Sequence, residues 1–122
     1  MLPILIVDNN RQIRLLVNRL LSQHGFLVIE AHDGLSALAA LRQAGGAVGA
    51  LLTDIEMDGM NGIELAKTVV AEFPSIPILV MTASEISEDV LRSEVPTCAL
   101  FVRKPFNTHY FVRSFKGLMV DS

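Results

Sequence analysis

The chain has 122 residues with 13 acids against 10 bases, a net charge of −3 that offers no basic surface to nucleic acid. Apolar residues make up 51% and mean hydropathy is +0.45, yet no apolar run approaches the ~20 residues of a membrane span. The length suits one domain over residues 1–122, and a lone Cys98 excludes an internal disulfide, in keeping with a reducing, cytoplasmic compartment. Met1-Leu2-Pro3 leads straight into an apolar run, with no basic segment or cleavage site, so no signal peptide is expected. That run, Pro3-Ile4-Leu5-Ile6-Val7, reads as a fully buried strand ending in Asp8-Asn9-Asn10. Asn9 or Asn10 can cap a helix over about Arg11–His24, with Ile13, Leu16, Val17, Leu20 and Leu21 inside. Arg11, Arg14, Asn18 and Arg19 fall on its outer face, and Gly25 is placed to stop it. Phe26–Ala31 is the second strand, and Asp33-Gly34 turns into a second helix over about Ser36–Gln43, carried by Leu35, Leu38 and Leu41.

After a glycine-rich loop, Ala50-Leu51-Leu52 forms a third strand that ends in Thr53-Asp54. Asn61-Gly62 opens a third helix with Ile63, Ala66, Val69, Val70 and Phe73 on its apolar face, ended by Pro74-Ser75-Ile76-Pro77. Ile78–Met81 is strand four, followed by Thr82-Ala83. A weak fourth helix spans Ser87–Arg92 and stops near Pro96. Cys98–Val102 is strand five, followed by Arg103-Lys104-Pro105-Phe106, and Asn107 caps a last helix carrying Tyr110, Phe111, Val112, Phe115 and Leu118. Five strands alternating with five helices predict an α/β fold, a parallel sheet with helices on both faces, without fixing the strand order.

Four polar groups follow four different buried strands: Asp8, Asp54, Thr82 and Lys104. In a parallel sheet these ends share one edge, where open α/β folds bind their ligands. Two close carboxylates repel, and a divalent cation with oxygen ligands relieves that, which suits Mg2+. Phosphoryl transfer needs a positioned nucleophile and neutralised equatorial oxygens. Asp54 can be the nucleophile, Lys104 and Mg2+ can neutralise, and the Thr82 hydroxyl can donate to a third oxygen once the phosphoryl group is present. Arg103 reads as solvated, Met57 and Met60 as loop packing, and His24, His32 and His109 as surface residues without ligand spacing.

With ILIVDNN at 4–10, LLTDIEMDGMNG at 51–62, VMTAS at 80–84 and FVRKPF at 101–106, the chain resembles the receiver domains of two-component response regulators over essentially its whole length. The resemblance implies a flavodoxin-like doubly wound fold of strand order 2-1-3-4-5. It implies that Asp54 takes a phosphoryl group from a histidine kinase or phosphotransfer protein, with Mg2+ held by Asp8, Asn9, Asp54 and the backbone carbonyl of Glu56. It makes Phe101 the aromatic that swings inward as Thr82 moves, and it makes the Lys104-Pro105 bond cis. It implies a signalling switch and not an enzyme, acting on a downstream protein or a fused output domain, with the helix 4/strand 5/helix 5 face open to partners or to a homodimer.

Two positions depart from that pattern. Asn9 stands where similar proteins carry a second acid, so weaker Mg2+ binding is expected; Asp58 stands where proline is common. Glu56 and Ser84 match positions that set phosphoryl lifetime in similar proteins. Three other functions compete. A covalent phosphatase would want aspartate at position 56, which is Glu56. A flavin carrier would want a hydroxyl- and glycine-rich loop after strand one, where Asp8-Asn9-Asn10-Arg11 stands. A phosphorylation-independent scaffold has Asn9 as its only support. The predicted elements end near Ser122 with no output domain after them, so the chain is expected to be a stand-alone unit or a piece of a longer regulator.

Overall fold

The computed structural model describes residues 2–120; Met1, Asp121 and Ser122, on which the expectations about the chain's ends fall, lie outside the described residues. Ten elements alternate strictly: β1 Ile4–Val7, α1 Arg11–Gln23, β2 Val28–Ala31, α2 Gly34–Gln43, β3 Ala50–Thr53, α3 Gly62–Glu72, β4 Ile78–Thr82, α4 Glu88–Glu94, β5 Cys98–Arg103 and α5 Thr108–Val120. All strand pairings are parallel, and the order is β2-β1-β3-β4-β5. The chain steps from β1 to one side to make β2, then crosses back to make β3. The β1/β3 boundary is therefore the switch point of the sheet.

Strands β1, β3 and β4 are buried along their whole lengths, which explains why they read as unbroken apolar runs. Alternate residues feed two separate cores. Leu5, Val7, Leu51, Ile78 and Val80 join Leu38, Leu41, Leu65, Val69 and Leu91 from α2, α3 and α4. Ile4, Ile6, Leu52, Leu79 and Met81 join Val17, Leu21, Phe111 and Phe115 from α1 and α5.

Local chemistry sets the boundaries. Asn10, and not Asn9, caps α1, accepting from the Ile13 amide at 3.2 Å. Gly25 takes φ +88° just past its end. Asp33 caps α2 in a reciprocal box with Ser36, so that helix starts at Gly34, two residues before the predicted start. Asn61, Ser87 and Asn107 accept from the amides of Glu64, Val90 and Tyr110. Four packing expectations need correction. Leu16 on α1 and Leu35 on α2 are exposed, the latter by 68%. Leu65, absent from the predicted α3 face, is fully buried. Phe26 and Leu27 precede β2, and Leu27 is exposed.

Candidate functional site

The sheet register builds the site. Val7 pairs with Thr53, so Asp8 and Asp54 each lie one residue beyond a paired position, on adjacent strands at the switch point. The Asp54 amide donates to the Val7 carbonyl at 2.9 Å and the Asp8 amide to the Ala31 carbonyl at 3.3 Å. Backbone pairing thereby sets the adjacent positions from which both carboxylates project. Thr82 ends β4 and pairs with Arg103, and the Lys104 amide donates to the Thr82 carbonyl at 2.7 Å.

Asp8 is completely buried, and its two oxygens are both engaged. Oδ1 accepts from the Asn10 amide at 2.8 Å and Oδ2 from Lys104 Nζ at 2.8 Å. Lys104 Nζ also stands 3.4 Å from Asp54 Oδ2, so one ammonium, itself only 13% exposed, spans both carboxylates. Asp54 Oδ1 accepts from the Ile55 amide at 2.9 Å. Burial raises the Asp54 carboxyl above its ordinary range and Asp8 pushes the same way, while Lys104 opposes them. A buried like-charge pair held by a single cation is the electrostatic character of the pocket.

Thr82 is buried, and its Oγ1 accepts from the Ser84 amide at 2.9 Å. Phe101 is half-buried against the core under α4, and the Lys104-Pro105 bond is cis. Asn9, Glu56 and Asp58 are exposed and line, with Ile55, Met57 and Asn61, an open depression of about 480 Å3. The four expected ligands, Asp8, Asn9, Asp54 and the Glu56 carbonyl, would offer oxygen donors only, from two carboxylates, an amide and a carbonyl. That donor set fits a hard cation that keeps several waters, and Mg2+ is the common one. Among the described residues no group of three or more His, Cys, Asp or Glu gathers to hold a metal. An apolar groove of about 440 Å3 at the opposite edge of the sheet, lined by Leu2, Ile4, Phe26 and Met119, carries none of these polar groups.

Three residues acquire importance that their sequence context did not signal. Arg14, assigned to the outer face of α1, donates from Nη1 to the Asp8 carbonyl at 2.6 Å and from Nε to Glu30 at 3.2 Å. Its side chain is only 15% exposed, and it holds the peptide that carries Asp8. Arg103, assigned to solvent, donates to the carbonyls of Ser84 and Ile86 and lies over the Phe101 ring. Gly62 starts α3 so close to the Asp54 peptide that a Cβ there would meet the Asp54 carbonyl oxygen at 1.9 Å. Met57 packs into the core and Met60 against it, while His24, His32 and His109 are exposed.

Comparison with known proteins places this geometry in context. The family model described as response regulator receiver domain matches residues 4–116. The chain is 36% identical over 108 residues to chemotaxis protein CheY-3 of Vibrio cholerae, covering 86% of this chain and 82% of that one. It is 32% identical over 116 residues to transcriptional regulatory protein CpxR of Klebsiella pneumoniae, covering 95% of this chain and 48% of that protein, and so spans about half its length. The response regulator TrrA of Thermotoga maritima, solved in complex with Mg2+ and BeF, superposes with a TM-score of 0.83 at 28% identity, over 97% of this chain and 99% of that one.

Proposed function

The chain belongs to the response regulator receiver domain family, a family of signalling switches, and from that premise we propose that residues 1–122 form one receiver unit phosphorylated on Asp54. The observation that carries this reading is the Lys104 ammonium between two buried carboxylates, 2.8 Å from Asp8 and 3.4 Å from Asp54. A carboxylate oxygen of Asp54 attacks the phosphorus of a phosphohistidine on a sensor kinase or phosphotransfer protein. A P–O bond forms, the P–N bond breaks, and the imidazole leaves. Lys104 holds Asp8 and Asp54 at fixed separation beforehand and pairs with a phosphoryl oxygen afterwards. The Thr82 oxygen accepts from the Ser84 amide in the resting protein, and its hydroxyl would donate to a phosphoryl oxygen once Asp54 is modified. Arg14 and the Asn10 amide hold Asp8 in place.

Asp8, Asn9, Asp54 and the Glu56 carbonyl would hold Mg2+, which when bound neutralises charge on the phosphoryl oxygens. The Thermotoga relative, solved in complex with Mg2+ and BeF, supports that assignment. Once Asp54 is modified, Thr82 turns towards the phosphoryl group, Phe101 follows, and the face of α4, β5 and α5 changes for a downstream protein, a fused output domain or a second copy. The half-exposed Val90 on α4 and Tyr110 on α5 give that face apolar anchors. The unit works in the cytoplasm and turns over no substrate beyond accepting and slowly losing its own phosphoryl group; among the described residues, no helix is long and apolar enough to cross a membrane.

The test is intact mass after incubation with acetyl phosphate, with and without Mg2+, on this chain and on Asp54→Asn. A Mg2+-dependent gain of one phosphoryl group, absent from Asp54→Asn, is the expected result. No gain at any Mg2+ concentration would replace this reading with that of a phosphorylation-independent scaffold.

A further inference from the structure

Between Thr82 and α4 the chain runs through a five-residue connection, 83–87, whose backbone has few partners of its own. Its inner end is tied to the site, because the Ser84 amide donates to Thr82 Oγ1 at 2.9 Å. The Ile86 amide donates to Ser84 Oγ at 3.3 Å, a bond within the connection itself. Its outer end is held from another strand. Arg103 Nη1 donates to the Ser84 carbonyl, and Nη2 donates to the Ile86 carbonyl at 2.6 Å.

Phe101 and Arg103 are two residues apart on β5 and so project from the same face of the sheet, while Val102 between them enters the opposite core. The Arg103 guanidinium carbon lies 5.2 Å from the Phe101 ring centroid, within the range where a cation is attracted to a ring face. One planar group therefore does two things at once. Its N–H groups bind two loop carbonyls, and its cationic centre lies over the aromatic ring. A lysine ammonium cannot do both, since it has neither a fork of fixed donors nor a flat face.

We infer that Arg103 is a positioning residue that joins the 83–87 connection to the Phe101 ring, so that displacement of one is transmitted to the other. The joint exists in the resting protein. Its use in signalling rests on the phosphorylation reading above: as Thr82 turns, the Ser84 amide loses or follows its acceptor, the Ser84 carbonyl pulls on Arg103, and Arg103 carries the pull to the ring.

The joint is tested on the unmodified protein by amide hydrogen exchange of residues 84–87, in the wild type, Phe101→Leu, Arg103→Ala and the double variant. Removing the ring should raise loop exchange by about two- to fivefold, the scale of an exposed cation–ring contact. The same change in the Arg103→Ala background should have no effect, because the link is already cut. Equal effects in both backgrounds, or none in either, would overturn the inference. Arg103→Lys should behave like Arg103→Ala; full restoration by lysine would show that charge alone suffices and would also sink it. Both positions lie near the surface, and a melting curve checks that each variant is folded. Should Phe101→Leu unfold, the Phe101 ring proton shifts in Arg103→Ala and Arg103→Lys decide the question alone, since an unlinked ring would leave them where they are in the wild type. Failure of Asp54 to take a phosphoryl group would remove the proposed function and leave this result standing.

Discussion

Asp8 and Asp54 face the same ammonium but are differently supplied. Asp8 has a donor on each oxygen at 2.8 Å, whereas Asp54 has one amide and a longer, 3.4 Å approach from Lys104. Burial penalises the charged form of Asp54, whose folded-state proton is held to higher pH than in the unfolded chain. Between its ordinary value near 3.8 and its raised one, the folded state binds more protons than the unfolded, so stability falls as pH rises through that window. Asp54→Asn should therefore melt higher than the wild type at neutral pH, and the gap should close as pH falls below the ordinary carboxylate value; paired melting curves at the two pH values decide it. Next to Asp8, Asn9→Asp would add a charge to the proposed ligand set, whose carboxylates are Asp8 and Asp54. Mg2+ affinity should rise about tenfold, equivalent to 1.4 kcal/mol, in a calorimetric titration of the unmodified protein. Asp8, Asp54, Thr82 and Lys104 were legible as candidates because each follows an apolar run. Arg14 and Arg103 were not, because a guanidinium that binds backbone carbonyls has partners without a sequence signature.

At the scale of elements, the caps decided what periodicity could not. Asp33 and Ser36 close a reciprocal box that fixes the start of α2, and Leu35, just inside it, is left facing solvent despite its apolar side chain. Helical spacing alone places Leu35 inside, since one turn of apolar residues fits either face when the entry angle is unknown. The start of α3 is governed by proximity instead. The Gly62 amide donates to the Ile55 carbonyl at 2.8 Å, and there is no room for a Cβ beside the Asp54 carbonyl. The clash is with backbone, which cannot rotate away. Gly62→Ala should destabilise by about 3 kcal/mol, the upper end of ordinary overpacking costs, and displace the Asp54 peptide. Urea denaturation reads the first effect. The Asp54 amide shift reads the second, and an unmoved signal would show that α3 had yielded instead.

For the whole molecule, alternation of five strands and five helices was enough to set the fold class, because a parallel sheet is the arrangement such connections allow. Strand order was not derivable from those residues, since it depends on which helices pack on which face; the family resemblance supplied the order that the sheet adopts. Leu5 and Ile6 are sequence neighbours, both fully buried, that serve different cores. Truncating either to alanine should cost about 2–5 kcal/mol. If the two layers melt as one unit, both variants lower the midpoint without changing the denaturant slope. A lowered slope in only one would separate the layers.

The Lys104–Asp8 contact joins residues 96 positions apart, the two ends of the alternating order. Until β5 docks, two carboxylates at the switch point have no ammonium between them, so the pocket is complete only once β1, β3 and β5 stand together. Such a distant closure is slow to find by diffusion of the chain. Anything that binds there, ion or phosphoryl group, acts as a clasp on the sheet, favouring the native state over those in which these strand ends are apart. An occupant of the pocket therefore reports that the first and last strands of the chain have been brought to one edge of the sheet.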